Sequence, residues 1–502
     1  MRLSISKSLS VMERKVPRED LSRRKPLTFV LLGVTALLAL SSALVQAAEL
    51  PALRVSENGR FFVTEEGKPF FWLGDTAWAL FEKLDREDAD FYLKDRASKG
   101  FTVIQAVLMF EGGIKPNAYG HPQILRKKDG SRDTIKPNEK YFQHVDYIVN
   151  KAESMGLYIG MIPVWAGTYV RKDRGLFHAS NTDEARRYGK FLGTRYRHKP
   201  IIWILGGDYH PEGADDVWRQ LAKGLAEGDG GTHLVTYHPG FGSSSQWFHN
   251  KDWLNFNMIQ SGHSRRSRGY DYIAKDYALE PIKPAIDAEP GYENITEGLK
   301  AAAPGVPRLD AWDVRRYAYC AVFAGAAGHT YGCNEIYQFW IKGTPPHARW
   351  GATMPWKKAL NLPGASQMQH LRKLIESRPM LIRVPDQSMI VGDEMKTTDR
   401  VQATRASDGS YAFVYIASGR PVTIRTDSLS GSTIKAYWFD PRNGTSQVIE
   451  TFARAKTRQF TPPSSGRGND WVLVLDDAAK GFRNPGRRAR VGSRVATLRA
   501  SQ

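Results

Sequence analysis

The chain has 502 residues, 41% of them hydrophobic, and a formal net charge of +19. This length is sufficient for one large barrel domain of about 250 residues or more together with a smaller domain. Most of the positive charge lies at the two ends, +5 in residues 1–26 and +7 in residues 478–502, and no nucleic-acid recognition motif accompanies it, so we exclude nucleic acid as a partner.

Residues 1–47 have the pattern of a signal peptide. Basic residues precede an apolar stretch at 27–40, and small residues follow it up to a cleavage site at Ala47. An apolar stretch of about 14 residues falls within the signal-peptide range and short of the roughly 20 residues that span a bilayer. We therefore expect a periplasmic or secreted protein with no integral membrane segment once the signal is removed.

Strand-like and helix-like segments then alternate along the chain. Short continuous apolar runs are typical of parallel strands that are buried on both faces. Eight such runs occur, at residues 69–75, 103–108, 158–163, 201–205, 233–237, 255–260, 283–287 and 329–331. Helical patterns lie between or after them, at residues 85–99, 141–155, 182–196, 215–227, 310–324 and 367–377. Eight βα units favour an α/β fold, a (β/α)8 TIM barrel over residues 48–380, rather than a doubly wound sheet.

The pattern changes after residue 380. Short strand candidates separated by turn residues occur at 401–404, 411–416, 422–424, 434–439 and 471–475. They predict a small C-terminal β-sandwich domain over residues 381–477. The basic tail, residues 478–502, is expected to be solvated and disordered. The alternative is that it is attracted to an acidic polysaccharide or a cell surface.

Only two cysteines are present, Cys320 and Cys333. Two thiols do not make a disulfide framework, although an oxidising compartment permits a bridge between them. We expect both to be buried free thiols.

Two carboxylates stand just past the ends of predicted barrel strands. Asp208 closes the run IIWILGG, and Glu289 closes the run KPAIDA. Barrels of this type gather their active sites at the carboxyl ends of the strands, and two carboxylates are the minimum requirement for cleavage of a glycosidic bond. Either residue alone could instead cap a helix or form an ion pair. Asp208, Asp287 and Glu289 could alternatively hold a divalent cation, but we expect neither a metal nor a cofactor.

Other predicted strand ends carry side chains that suit a sugar. Aromatic faces stack on the C–H surfaces of sugars, and polar groups hydrogen-bond the hydroxyls. Each of these residues could serve packing alone, and it is their clustering that indicates a binding site. The candidate substrate-binding residues are Asp75, Trp78, Trp165, His238, Gln260, His263, Tyr292 and Tyr331.

Four motifs together carry a family resemblance: WLGDTAW at 72–78, WILGGD at 203–208, DAEPGYE at 287–293 and HTYG at 329–332. In this order they resemble glycoside hydrolase family 140, over nearly the whole chain from about residue 54 to 476. The resemblance implies a (β/α)8 barrel followed by a β-sandwich that carries a collagen-binding label. It also implies an apiosidase that acts on side chains of the pectin rhamnogalacturonan-II, with Asp208 as acid/base and Glu289 as nucleophile of a retaining mechanism.

The sequence therefore predicts a secreted retaining glycoside hydrolase whose partner is a pectic or related polysaccharide or oligosaccharide. Within enzymes, the alternative is a different barrel glycosidase, for example one that cleaves β-glucan or galactofuranoside bonds. In another class, the alternative is an inactive carbohydrate-binding or adhesive protein. Sequence alone does not choose among them, because specificity resides in loop shape.

Overall fold

The computed structural model describes residues 49–110, 112–126, 132–172, 175–211, 213–300, 305–343 and 349–487. The predicted signal segment and residues 488–502 of the predicted tail lie outside this part of the chain. No helix within the described residues is both long and apolar enough to cross a bilayer.

Eight parallel strands form the centre of the molecule, and all eight predicted strands are confirmed, with bounds that differ by at most three residues. They are β1 (Trp72–Thr76), β2 (Val103–Val107), β3 (Tyr158–Ile162), β4 (Ile201–Gly206), β5 (Val235–His238), β6 (Asn257–Gln260), β7 (Ala285–Asp287) and β8 (Gly328–Tyr331). The hydrogen-bonded order is β5-β4-β3-β2-β1-β8-β7-β6, and the short strand Ser243–Ser244 pairs antiparallel with β6. Nearly every residue of these strands is buried, as their apolar runs predicted.

Bonds between β5 and the segment that leads into β6 close this sheet into a barrel. The backbone N–H of Asn255 donates to the Val235 carbonyl (2.9 Å), and the Thr236 hydroxyl donates to the Phe256 carbonyl (2.6 Å). The predicted α/β barrel is therefore confirmed.

Helices surround the barrel. The longer ones are α1 (Arg86–Ser98), α2 (Glu139–Ser154), α3 (Thr182–Tyr196), α4 (Asp215–Asp229), α5 (Gly269–Tyr277), α6 (Ala311–Phe323) and α7 (Pro363–Glu376), and four-residue helices occur at Leu80–Lys83, Ala166–Tyr169, Asn334–Tyr337 and Trp356–Ala359. Side-chain caps define several starts: Asp85 accepts from the Asp88 N–H at α1, and Asp310 forms a capping box with Asp313 at α6. Helix α5 was not predicted, and the unit after β5 contains a short 3₁₀ helix, Ser245–Phe248, in place of an α-helix.

The C-terminal region is all-β. A six-stranded antiparallel sheet contains Arg383–Pro385, Val401–Ala406, Tyr411–Ile416, Thr433–Phe439, Ser446–Ala453 and Trp471–Asp477. A three-stranded sheet contains Ile390–Val391, Val422–Arg425 and Thr457–Phe460. The five predicted strands are present, and the additional ones are short or lie at sheet edges, where apolar alternation is weak.

Helix α6 joins this region to the barrel. The Tyr319 ring stacks on Tyr415 with centroids 5.0 Å apart, and Arg315 pairs with Asp470 at 2.6 Å, with both side chains at most 4% exposed. Because the contact contains stacked rings and buried charges, the two regions share one continuous core.

Both cysteines are free and buried, as expected. Residues 478–487 of the predicted tail are part of the described chain, and Phe482 packs on the C-terminal domain. The Phe482 ring lies 6.3 Å from the Tyr411 ring, and the Arg378 guanidinium lies 4.8 Å from the Phe482 ring centroid.

Candidate active site

A glycine-rich turn places Asp208 at the carboxyl-terminal mouth of the barrel. Gly206 and Gly207 have φ angles of 90° and 118°, which L side chains rarely adopt. A Cβ on Gly206 would collide with the His238 carbonyl, and one on Gly207 would lie 2.6 Å from the Trp165 ring. Asp208 itself has φ of 49°, a strained region that Asp tolerates better than most residues. The turn aims the Asp208 carboxyl across the mouth.

Glu289 enters the same cavity from the opposite wall, two residues after β7. Carboxylate oxygens of Asp208 and Glu289 and a ring nitrogen of His238 all lie within 4.8 Å of one another. The two carboxyls share a cavity of about 270 Å³. The predicted pair is therefore brought together, although it comes from strands three βα units apart.

Glu289 is deeply set among donor groups. The Tyr292 hydroxyl donates to its Oε1 at 2.5 Å. His238 Nε2 lies 3.0 Å from Oε2, and His263 Nε2 lies 3.4 Å from Oε1. Only 5% of the Glu289 side chain is exposed. Although burial alone would raise its pKa, the two imidazoles beside it hold the pKa of Glu289 well below its ordinary value. Glu289 is thus ionised.

Asp208 has the opposite environment. Its Oδ1 accepts a 2.7 Å hydrogen bond from the Gln260 amide, and 45% of the side chain faces the open cavity. Loss of hydration among the surrounding protein atoms raises the pKa of Asp208 most, and the negative charge of Glu289 raises it further, so that this pKa lies well above its ordinary value. A carboxyl whose pKa is raised therefore lies beside one whose pKa is lowered, which is the arrangement required for acid catalysis and nucleophilic attack at one carbon.

Most of the predicted substrate-binding residues surround this pair. Trp78, Trp165, Gln260, His263 and Tyr292 line the cavity. His238 is fully buried and lies directly behind Glu289, with Trp78 perpendicular to its ring at 5.3 Å. Six of the eight predicted residues thus belong to the site.

The prediction was wrong for Asp75 and Tyr331. They are direct neighbours in the parallel ladder of β1 and β8, so their side chains point to the same face of the sheet. That face is the outer one. Asp75 accepts from Tyr92 (2.5 Å) and Arg96 (2.7 Å) of α1, and the Tyr331 hydroxyl donates to Glu293 at 2.6 Å. Both are structural residues beneath the helices.

Several lining residues were not predicted. Phe110 and Phe241 follow β2 and β5, while Tyr337, Arg349 and Trp350 come from the long segment after β8. Ile295 and Leu299 complete the wall. They lie in loops or very short helices. Sequence therefore offers only one signal, and only for the aromatic ones, namely an aromatic residue a few positions after a strand end, as at Phe110 and Phe241.

Three side chains at the site could also hold a divalent ion, since Asp208, His238 and Glu289 each offer one ligand atom. Asp287, which we considered as a ligand, instead accepts from the Ser261 hydroxyl at 2.8 Å and packs against Gly269 of α5. Because Gln260 and Tyr292 already donate to one oxygen of each carboxyl in the cavity, the arrangement fits proton transfer better than a complete metal shell.

Comparison with known proteins gives two family matches. Residues 56–382 match the family described as "Apiosidase-like, catalytic domain". Residues 384–476 match the family described as "Putative collagen-binding domain of a collagenase". None of the curated proteins compared matches the chain at a significant level.

Solved structures are similar over most of the chain. One, titled "Glycoside hydrolase", is 37% identical with a TM-score of 0.76, and the match covers 86% of this chain and 97% of that one. A crystal structure of a glycoside hydrolase family 5 protein from Bacteroides vulgatus ATCC 8482 is 36% identical with a TM-score of 0.76, covering 86% and 94% of the two chains.

Proposed function

Because this chain belongs to the apiosidase-like family of glycoside hydrolases, we propose that it cleaves its glycosidic bond with retention of configuration. In this mechanism Glu289 is the nucleophile, and Asp208 is the general acid and then the general base.

One observation carries the proposal, the short separation of two carboxyls whose pKa values are shifted in opposite directions. Retaining enzymes hold their two carboxyl groups about 5–5.5 Å apart, whereas inverting enzymes need about 6.5–9.5 Å to admit a water molecule between the carboxyl and the sugar. Oxygens of Asp208 and Glu289 lie within 4.8 Å. This spacing supports direct attack by Glu289 on the anomeric carbon.

The surrounding residues support these roles. Tyr292, His238 and His263 fix the Glu289 carboxylate and stabilise its charge, so that an oxygen is available to form the glycosyl–enzyme bond. Asp208 donates its proton to the departing glycosidic oxygen. It then accepts a proton from the water that releases the sugar. Gln260 orients Asp208 through both steps.

For the substrate we propose a terminal sugar on a side chain of a pectic polysaccharide, with apiose as the first candidate. The support is the apiosidase-like description of the matched family. The cavity, at about 270 Å³, lies just below the range of roughly 300–1,000 Å³ that holds drug-sized ligands, which favours one sugar unit. Such a substrate lies outside the cell, consistent with the signal pattern of residues 1–47, and cell fractionation tests the proposed export.

Proton NMR of the first-formed sugar tests the mechanism. Rhamnogalacturonan-II oligosaccharides are the first substrate, followed by β-glucan and galactofuranosides. Retention predicts that the released sugar first appears with the anomeric configuration of the bond that was cleaved and then mutarotates. The opposite anomer at the earliest time points would contradict the proposal, and binding of every substrate without cleavage would favour the inactive carbohydrate-binding alternative.

A further inference from the structure

A row of exposed aromatic residues extends outward from the rim of the cavity, next to Asp208. Tyr209 is 39% exposed, Phe241 62% and Trp247 39%, although large apolar side chains are usually covered. They lie on the loops that follow β4 and β5. The mechanism above uses none of the three for catalysis.

These residues lie close together on two neighbouring loops. Tyr209 directly follows Asp208, and Gly240 packs on their backbone, with a Cβ position 3.5 Å from the Tyr209 carbonyl carbon. Phe241 comes next in the chain and borders the catalytic cavity. At the far end, Trp247 stands perpendicular to His210 with ring centroids 4.8 Å apart. We call Phe241, Tyr209, His210 and Trp247 the aromatic row.

The aromatic row is held in place despite its exposure. Arg171 donates to the Tyr209 hydroxyl at 2.6 Å, and its guanidinium lies 4.8 Å from the Tyr209 ring centroid. The Tyr237 hydroxyl donates to the Tyr209 carbonyl at 3.0 Å. Phe241 rests on Gly262, where a Cβ would collide with its ring. Fixed aromatic faces lose little entropy when a ligand covers them.

The depth of the two carboxyls gives the direction in which a substrate must extend. Glu289 is at the bottom of the cavity, with 5% of its side chain exposed, whereas Asp208 is at the rim, with 45% exposed. The acid gives its proton to the leaving oxygen. The sugar that is attacked therefore lies deep, and the leaving group passes Asp208 outward onto Phe241 and Tyr209.

We propose that the aromatic row is a leaving-group subsite that stacks on the C–H faces of the one or two sugar rings beyond the scissile bond. This inference rests on the proposed function, because it takes Asp208 as the acid. It implies that the enzyme acts on a sugar attached to an oligosaccharide or polysaccharide. Binding of the sugars beyond the scissile bond would then increase the rate of cleavage.

Two substrates with different leaving groups test the subsite. Rhamnogalacturonan-II oligosaccharide places sugar rings on the aromatic row, whereas apiosyl fluoride has a leaving group of one atom. We expect Trp247→Ala, which leaves the cavity lining intact, to lower kcat/KM for the oligosaccharide about 10- to 100-fold while that for the fluoride stays within about twofold. Phe91→Ala, which removes a 52% exposed aromatic side chain on α1, is the matched control and should change neither value.

Equal losses on both substrates, or no loss on the oligosaccharide, would overturn the subsite. Failure of the proposed function would look different. In that case Glu289→Gln would still turn over the oligosaccharide, and the subsite would be judged from oligosaccharide affinity measured by calorimetry. An affinity of Trp247→Ala for the oligosaccharide equal to that of the unmodified chain would then exclude the subsite independently of any chemistry.

Discussion

Glu289 and Asp208 share one cavity, and their different surroundings give them different roles. Glu289→Gln replaces an ionised nucleophile with a neutral amide that cannot form the glycosyl–enzyme bond. We expect kcat to fall by at least about 10⁴-fold, with circular dichroism and melting temperature close to those of the unmodified protein. Steady-state kinetics measures this loss. Activity within about tenfold of the original would exclude Glu289 as the nucleophile.

Replacement of Asp208 separates acid catalysis from structure. Asp208→Ala should slow natural glycosides by about 10²- to 10⁴-fold, because their leaving oxygen needs a proton. A glycoside of an acidic phenol should be slowed much less in its first step, and added azide should accelerate it by replacing the water that Asp208 activates. Equal slowing of both substrates, without a response to azide, would show that Asp208 has a structural role only.

At the scale of single residues, sequence predicted the two carboxyls but not every neighbour. A carboxylate that follows a continuous apolar run can be recognised in a single amino-acid sequence. Whether a side chain at a strand end points into the barrel or out to the helices depends on a one-residue difference in register. That difference explains why Asp75 and Tyr331 were assigned to the site, although both lie beneath α1, beside Arg96.

Strand β7 ends in an acidic residue, Asp287, that the mechanism does not use. Asp287 is fully buried, and its burial, only partly offset by the Ser261 hydrogen bond, raises its pKa to about 7. In the unfolded chain an aspartate titrates near 3.9. The folded protein therefore binds a proton more tightly than the unfolded chain, and the stability linked to Asp287 is full below about pH 4 and is lost as pH rises to about 7.

Asp287→Asn should remove this loss. The amide oxygen can still accept from Ser261, and the side chain cannot ionise. We expect the variant to gain stability relative to the unmodified protein between pH 4 and pH 7, by up to roughly 1–4 kcal/mol at about 1.4 kcal/mol per tenfold change in proton affinity. Urea unfolding at several pH values measures it, with the exposed Asp427→Asn as control. A pH-independent difference would contradict the assignment.

Elements differed in how well the sequence predicted them. The barrel strands were recognisable because burial on both faces requires continuous apolar runs, as in 201–205. Helix α5 was missed because it has nine residues, begins at Gly269 and lacks a side-chain cap. Strand Ser446–Ala453 was missed because it lies at a sheet edge, and most of its residues are exposed or half-buried.

We expect the barrel and the C-terminal domain to unfold as one unit. The Arg315–Asp470 pair joins α6 to the C-terminal domain, with both groups almost fully buried, and the Tyr415 hydroxyl also donates to Asp470. Arg315→Ala leaves a buried carboxylate without its partner, which typically costs about 3–5 kcal/mol. We expect a single calorimetric transition at a lower temperature, in which the barrel and the C-terminal domain unfold together.

The exposed pair Arg219–Asp216 provides the control, because its side chains are 56% and 68% exposed. Arg219→Ala should change stability by less than about 1 kcal/mol. Two separate transitions, with only the later strands destabilised in Arg315→Ala, would show instead that the C-terminal domain unfolds independently.

The central claim is that Glu289 forms a covalent bond with the sugar. The most direct measurement is mass spectrometry of the protein incubated with 2-deoxy-2-fluoro-apiosyl fluoride, which slows hydrolysis of the intermediate more than its formation. We predict an added mass equal to one fluorinated sugar, located after proteolysis on the peptide that contains Glu289 and absent from Glu289→Gln. A label on any other residue, or turnover that inverts configuration without a label, would contradict it.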